Sequence, residues 1–130
     1  MAFKIYSTDD NRVPGIEYLP ASAITPKVGM ALTQTTGQLA LATGATAPTY
    51  ISMCEKNSEC TAGDIIPVIR MGKDMILETT FAAAATSIKL GDKVTLHTDG
   101  LQVTATTTNG VAEVVYMDGT ASGSMCRVRF

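Results

Sequence analysis

The chain has 130 residues, a formal net charge of −2 and 17% charged residues. That length suits one domain with one core. Its ten Lys and Arg are scattered, with only Arg127 and Arg129 close together on one strand face, so the basic stripe of a nucleic-acid binder is missing. No apolar run approaches the roughly eighteen residues that a membrane span requires. Aliphatic and small side chains dominate, Trp is absent and aromatics are 5%. Such side chains bury less area each than aromatics do, so the expectation is a thin core and a chain that leans on an oligomer or a partner surface.

Residues 1–22 stand apart from the rest. MAFKIYSTDDNRVPG lacks the apolar centre of a secretory signal. Asp9, Asp10, Asn11, Arg12, Pro14, Gly15 and Pro20 interrupt any period, and Phe3, Ile5, Tyr6, Ile16, Tyr18 and Leu19 are apolar points between them. The segment reads as an extended arm whose anchors either dock on a neighbour or cover the chain's own β-domain.

From Ala23 to Phe130 the pattern predicts a single β-domain. Short apolar stretches alternate with Gly, Asp, Asn and Thr. The predicted strands are Met30–Gln34, Gln38–Ala42, Tyr50–Glu55, Asp64–Arg70, Met75–Thr80, Lys93–His97, Leu101–Ala105, Ala112–Met117 and Met125–Phe130. Pro67 cannot donate to a ladder, which predicts an edge strand or a bulge for its stretch. Phe81–Ser87, FAAAATS, is rich in helix formers but short, enough for one or two turns between two halves.

A weak repeat runs through this region. VGMALTQTTGQLALATG, from Val28, aligns without a gap on LGDKVTLHTDGLQVTAT, from Leu90. Each copy has a short strand, a polar turn ending in Gly37 or Gly100, and a return strand with apolar residues two apart, which predicts a hairpin with one buried face. Ala62-Gly63-Asp64 echoes Leu90-Gly91-Asp92 as a tight turn leading into a strand. The predicted class is all-β: a small barrel or sandwich built of hairpins, with an extended N-terminal arm and at most one short helix.

Residues with chemical potential are few. His97 is the single histidine and has no nucleophile elbow beside it. Glu55, Glu59, Asp64, Asp74, Glu78, Asp92, Asp99 and Glu113 fall at turns and strand ends. Cys54, Cys60 and Cys126 form a poor zinc set; Cys54 and Cys60 could close a short loop if oxidised, and buried or idle thiols are the plainer reading. Lys73, in RMGKDM, lies where a hairpin tip would expose it, as in biotinyl and lipoyl carrier domains, but Gly72 and Asp74 replace the residues those carriers use. No catalytic residue, metal site or cofactor is expected, and the chain does not read as an enzyme.

Taken together, KVGMAL from Lys27, QLALA from Gln38, AGDIIPV from Ala62, KLGDKV from Lys89 and GLQV from Gly100 resemble the head decoration, or capsid cement, proteins of tailed bacteriophages. The resemblance is one of texture, covers Ala23 to Phe130, and carries over no catalytic residues or cysteine pattern. It implies a virion protein made in the host cytoplasm and placed on the capsid exterior. There it would bridge major capsid protein subunits as a homo-oligomer, with a trimer expected. Phe3, Ile5, Tyr6, Ile16, Tyr18 and Leu19 are then the candidate capsid- or neighbour-binding residues. A β-domain of a tail, head fibre or baseplate is the structural alternative, and a biotinyl or lipoyl carrier the remaining one.

Overall fold

Strand formation follows the turns. Thr36 and Gly37 both take positive φ, 51° and 80°, the type I′ geometry that matches the twist of two antiparallel strands. Thr35 therefore pairs with Gln38, and a regular ladder continues to Leu32 opposite Leu41. A second turn design occurs three times, at Lys27–Met30, Thr61–Asp64 and Lys89–Asp92. In each the fourth residue's N–H donates to the first residue's carbonyl at 2.9–3.1 Å, and Gly29, Gly63 or Gly91 holds φ between 83° and 95°. These are type II turns. In the last two, the aspartate also accepts from the first residue's N–H, Asp64 from Thr61 and Asp92 from Lys89, both at 2.9 Å. The Gly-Asp echo in the sequence is thus one turn used repeatedly, each time just before a strand.

The computed structural model describes residues 2–8 and 12–130. Its strands are β1 (Lys4–Ser7), β2 (Ile16–Pro20), β3 (Ala31–Thr35), β4 (Gln38–Leu41), β5 (Tyr50–Ser52), β6 (Ile65–Arg70), β7 (Ile76–Thr80), β8 (Lys93–Val94), β9 (Ala112–Met117) and β10 (Met125–Arg129). They form two five-stranded sheets. The C-terminal sheet has the order β1-β7-β10-β9-β8 and the N-terminal sheet β2-β6-β5-β3-β4. All strand pairs are antiparallel. Neither sheet closes into a barrel, although a single bridge between Ala21 and Leu39 brings the two edges of the N-terminal sheet together at one point. The architecture is all-β, as the sequence predicts, and consistent with a sandwich.

Strand alternation gives the N-terminal sheet two usable faces. Ala31, Ala42 and Ile51 join Leu77, Phe81, Val94, Val114 and Val128 of the C-terminal half in one core. The opposite row, with Leu32, Leu39, Tyr50, Ile66 and Val68, forms a second core with Ala21, Cys60 and Leu101. The two repeat copies meet. Leu96 and Gly44 exchange N–H···O bonds at 2.9 and 3.0 Å, and Ala31 donates to the Gly100 carbonyl at 2.8 Å. A Cβ on Gly100 would run into the Leu41 side chain, so the tip of the second hairpin rests against the first.

Several local expectations change. Pro67 lies in β6, which is flanked by β2 and β5 rather than at an edge. It is tolerated because β5 ends at Ser52, opposite Val68. The Pro67 carbonyl faces that side and accepts from Met53 just past the strand end, so the missing donor falls where the ladder has stopped. FAAAATS makes no helix. Phe81, Ala82 and Ala85 donate their N–H groups to Ser124, Val103 and Thr120, and tertiary pairing overrides helix propensity. The chain passes between the sheets at residues 71–75 instead, with Lys73 in that link and not at a hairpin tip. Leu101–Ala105 contributes single bridges at Val103 in place of a strand. The described parts of the N-terminal segment supply one strand to each sheet: β1 pairs with β7, and β2 with β6. Asp9, Asp10 and Asn11 lie outside the described residues.

Candidate docking surface

The pairing of β2 with β6 sets Ile16 opposite Ile69, Tyr18 opposite Pro67 and Pro20 opposite Ile65. Directly opposed residues share a face, and Ile51 extends the row through Ile69. Toward the sheet centre this row is buried in the first core. Toward β2 it is bare: Tyr18 is 68% exposed, Ile65 60% and Ile16 52%. Met53, whose N–H reaches the Pro67 carbonyl at 2.9 Å, is also exposed, as are Val13 and Val28. Beside the row runs a groove of about 280 Å³, lined by Phe3, Ile51, Ile69, Ile5, Val13, Val28 and Met53, with Lys4 its one charged lining residue among those described.

The C-terminal sheet presents a different outer surface. Lys4, Glu78, Arg127 and Tyr116 lie side by side across β1, β7, β10 and β9. The Arg127 guanidinium sits 3.7 Å from the centroid of the Tyr6 ring and 4.5 Å from that of Tyr116, and bonds the Glu78 carboxylate at 3.2 Å. Arg129 pairs with Glu113. The one basic pair noted in the sequence is therefore neutralised by two carboxylates, and Arg127 of the pair is also stacked between two tyrosines. Tyr and Arg are the side chains most enriched where protein partners bind strongly.

The six candidate anchors separate between these surfaces and the interior. Phe3 is buried, edge-on to Phe130 with ring centroids 5.8 Å apart. Ile5 packs on the first core and Leu19 on the second. Tyr6 faces outward on the C-terminal sheet, and Ile16 and Tyr18 face outward on the N-terminal one. The sequence reading missed Ile65, Met53, Val13 and Val28. A signal existed for Ile65. The run Ile65-Ile66-Pro67-Val68-Ile69 is apolar on both rows, the mark of a strand covered on both faces, yet one face is partly bare here.

The other singled-out residues hold the fold. His97 donates its N–H to Gln102 and accepts from Gly100 through its carbonyl, so its main chain shapes the second hairpin. Glu55 accepts from the Val28 N–H at 2.8 Å. Asp99 accepts from Leu101 and from the Gln102 amide at 2.8 and 3.0 Å. Glu78 and Glu113 are the cross-strand partners of the arginines. All three cysteines are free thiols. Burial pushes Cys126 up to about 12 and raises Cys54, where the nearby Cys60 adds to the effect. No group of three or more His, Cys, Asp or Glu able to hold a metal ion occurs among the described residues. No family model, curated protein or solved structure matches the chain.

Proposed function

We propose that this chain is a structural virion protein that attaches to the outside of a phage capsid and stabilises the shell by bridging major capsid subunits, working as a homo-oligomer. The observation that supports the reading is the bare apolar row of Ile16, Tyr18 and Ile65 with the adjoining groove. Contiguous apolar surface of this kind marks a protein contact. The resemblance of the Gly-Asp turns and Ala- and Thr-rich strands to capsid cement proteins supplies the identity of the partner. A protein that binds the assembled shell and not its separated subunits stabilises the shell by mass action. Several copies linked together bind more tightly than one, because each attachment raises the effective concentration of the next.

The test is co-sedimentation of the purified protein with expanded capsids of the phage that encodes it, followed by electron microscopy of particles carrying a C-terminal label. Saturable binding with label spread over the shell is expected. Label confined to the tail or baseplate would move the protein to another part of the virion. Absence of label from particles altogether would end the virion reading.

A further inference from the structure

We propose that Cys54 and Cys60 are a redox pair, oxidised to a disulfide that fastens the loop between β5 and β6. The proposal goes beyond the docking reading and needs neither a shell nor a second copy. Strand alternation fixes where the first thiol points. Tyr50 lies in the second core and Ile51 in the first, Ser52 is buried, and Met53 is exposed. Cys54 returns to the second-core side and packs there. Cys60 is a member of that same core, 2% exposed. The chain between them bends at Asn57 and Ser58. The N–H groups of Lys56 and Cys60 donate to the Pro26 and Ile24 carbonyls at 3.0 and 2.8 Å. Two carbonyls only two residues apart therefore hold both sides of the bend. The thiols also sense each other: after burial, Cys60 is the next cause that raises the Cys54 thiol.

Exposure sets the order of events. Cys54 is half-buried, whereas Cys60 and Cys126 are buried. Cys126 lies in the first core, across the N-terminal sheet from the pair, so it does not compete. The oxidant is a small disulfide such as oxidised glutathione. Cys54 loses its proton to water, and its thiolate attacks one sulfur of the reagent. The reagent's S–S bond breaks and one thiolate leaves. Cys60, deprotonated in turn, attacks the Cys54 sulfur of the mixed disulfide and expels the second thiolate. Two protein thiols are oxidised, and one reagent disulfide is reduced to two thiols. Burial keeps Cys54 protonated at neutral pH, so the reaction speeds up as pH rises. A reducing compartment holds the pair open, and an oxidising exterior closes it. Closure takes freedom from the unfolded chain. It also fixes the segment that starts at Met53 and leads through the Thr61–Asp64 turn to Ile65.

The experiment incubates the full chain with oxidised glutathione at a pH of about 8.5, near the ordinary thiol pKa. Non-reducing peptide mapping is expected to find a Cys54–Cys60 link within one chain, with Cys126 the thiol still labelled after denaturation. The thermal midpoint is expected to rise by several degrees and to fall back with dithiothreitol. Cys54→Ser, a change at a part-exposed position, is expected to lose that rise, and Cys126→Ala to keep the link. Three labelled thiols after incubation overturn the proposal. So does a glutathione adduct that stays on Cys54, or a disulfide between two chains. A Cys54–Cys60 link that leaves the midpoint unchanged overturns the fastening role.

Discussion

Arg127 shows how much of this fold depends on single side chains at the surface. It lies between Tyr116 on the adjoining β9 and Tyr6 on β1, two strands away, and bonds Glu78 on the intervening β7. Each cation–π contact contributes about 0.5–1 kcal/mol at a site of this exposure, and the ion pair less than about 1 kcal/mol. Arg127→Ala should therefore lower unfolding stability by about 1–2 kcal/mol and speed amide exchange in β1, read by urea titration and exchange mass spectrometry. Arg127→Lys should recover only part of the loss, because a point charge lacks the planar stack. Cys126 acts through its protonation. Burial raises its folded-state pKa to about 12 from an ordinary 9.0, so the neutral thiol is what the fold favours. Its contribution is full below pH 9 and falls as pH climbs from 9 toward 12. Denaturation curves should show that loss, and Cys126→Ala should flatten it from a lower starting stability.

Among the elements, the three type II turns permit a controlled comparison. Gly63 and Gly29 both hold positive φ, 95° and 83°, but a Cβ on Gly63 would meet open space while one on Gly29 would lie 2.5 Å from the Phe3 carbonyl oxygen. Gly63→Ala should cost about 1–2 kcal/mol of backbone strain. Gly29→Ala should cost more, since it also pushes away the chain entering β1, and chemical denaturation of the two variants measures the gap. The N-terminal segment follows the same reasoning. It supplies β1 and β2 and places Phe3 in the core, and loss of one buried Phe side chain alone costs about 3–5 kcal/mol. Deleting residues 1–22 should abolish cooperative thermal unfolding. Point substitutions at exposed positions are therefore the cleaner probe of docking. The turns were legible in sequence because Gly and Asp at fixed positions specify them locally. β1 and β2 were not, because a strand's partner is a long-range fact. In β2 the apolar alternation of Ile16 and Tyr18 marks the bare row, while Glu17 and Leu19 occupy the opposite one. Pro67 misled for a related reason: its missing donor is harmless wherever the neighbouring strand stops one residue short.

For the molecule as a whole, the two sheets present surfaces of opposite kind, one apolar and bare, the other a stacked lattice of Tyr, Arg and Glu. Only one of the six candidate anchors, Tyr6, lies on the polar surface, while Ile16 and Tyr18 lie on the apolar one and the rest serve the interior. Composition could not locate the bare apolar row, which forms only through the long-range pairing of β2 with β6. The central claim is that Ile16, Tyr18 and Ile65 are covered when the protein works. Hydroxyl-radical footprinting tests it most directly, comparing the chain diluted to a single copy with the chain assembled at high concentration or on shells. The account predicts that oxidation of Tyr18 and Ile65 drops several-fold on assembly while an exposed turn residue away from the row, such as Leu90, keeps its rate. Equal oxidation of Tyr18 and Ile65 in the dilute and assembled states would contradict it.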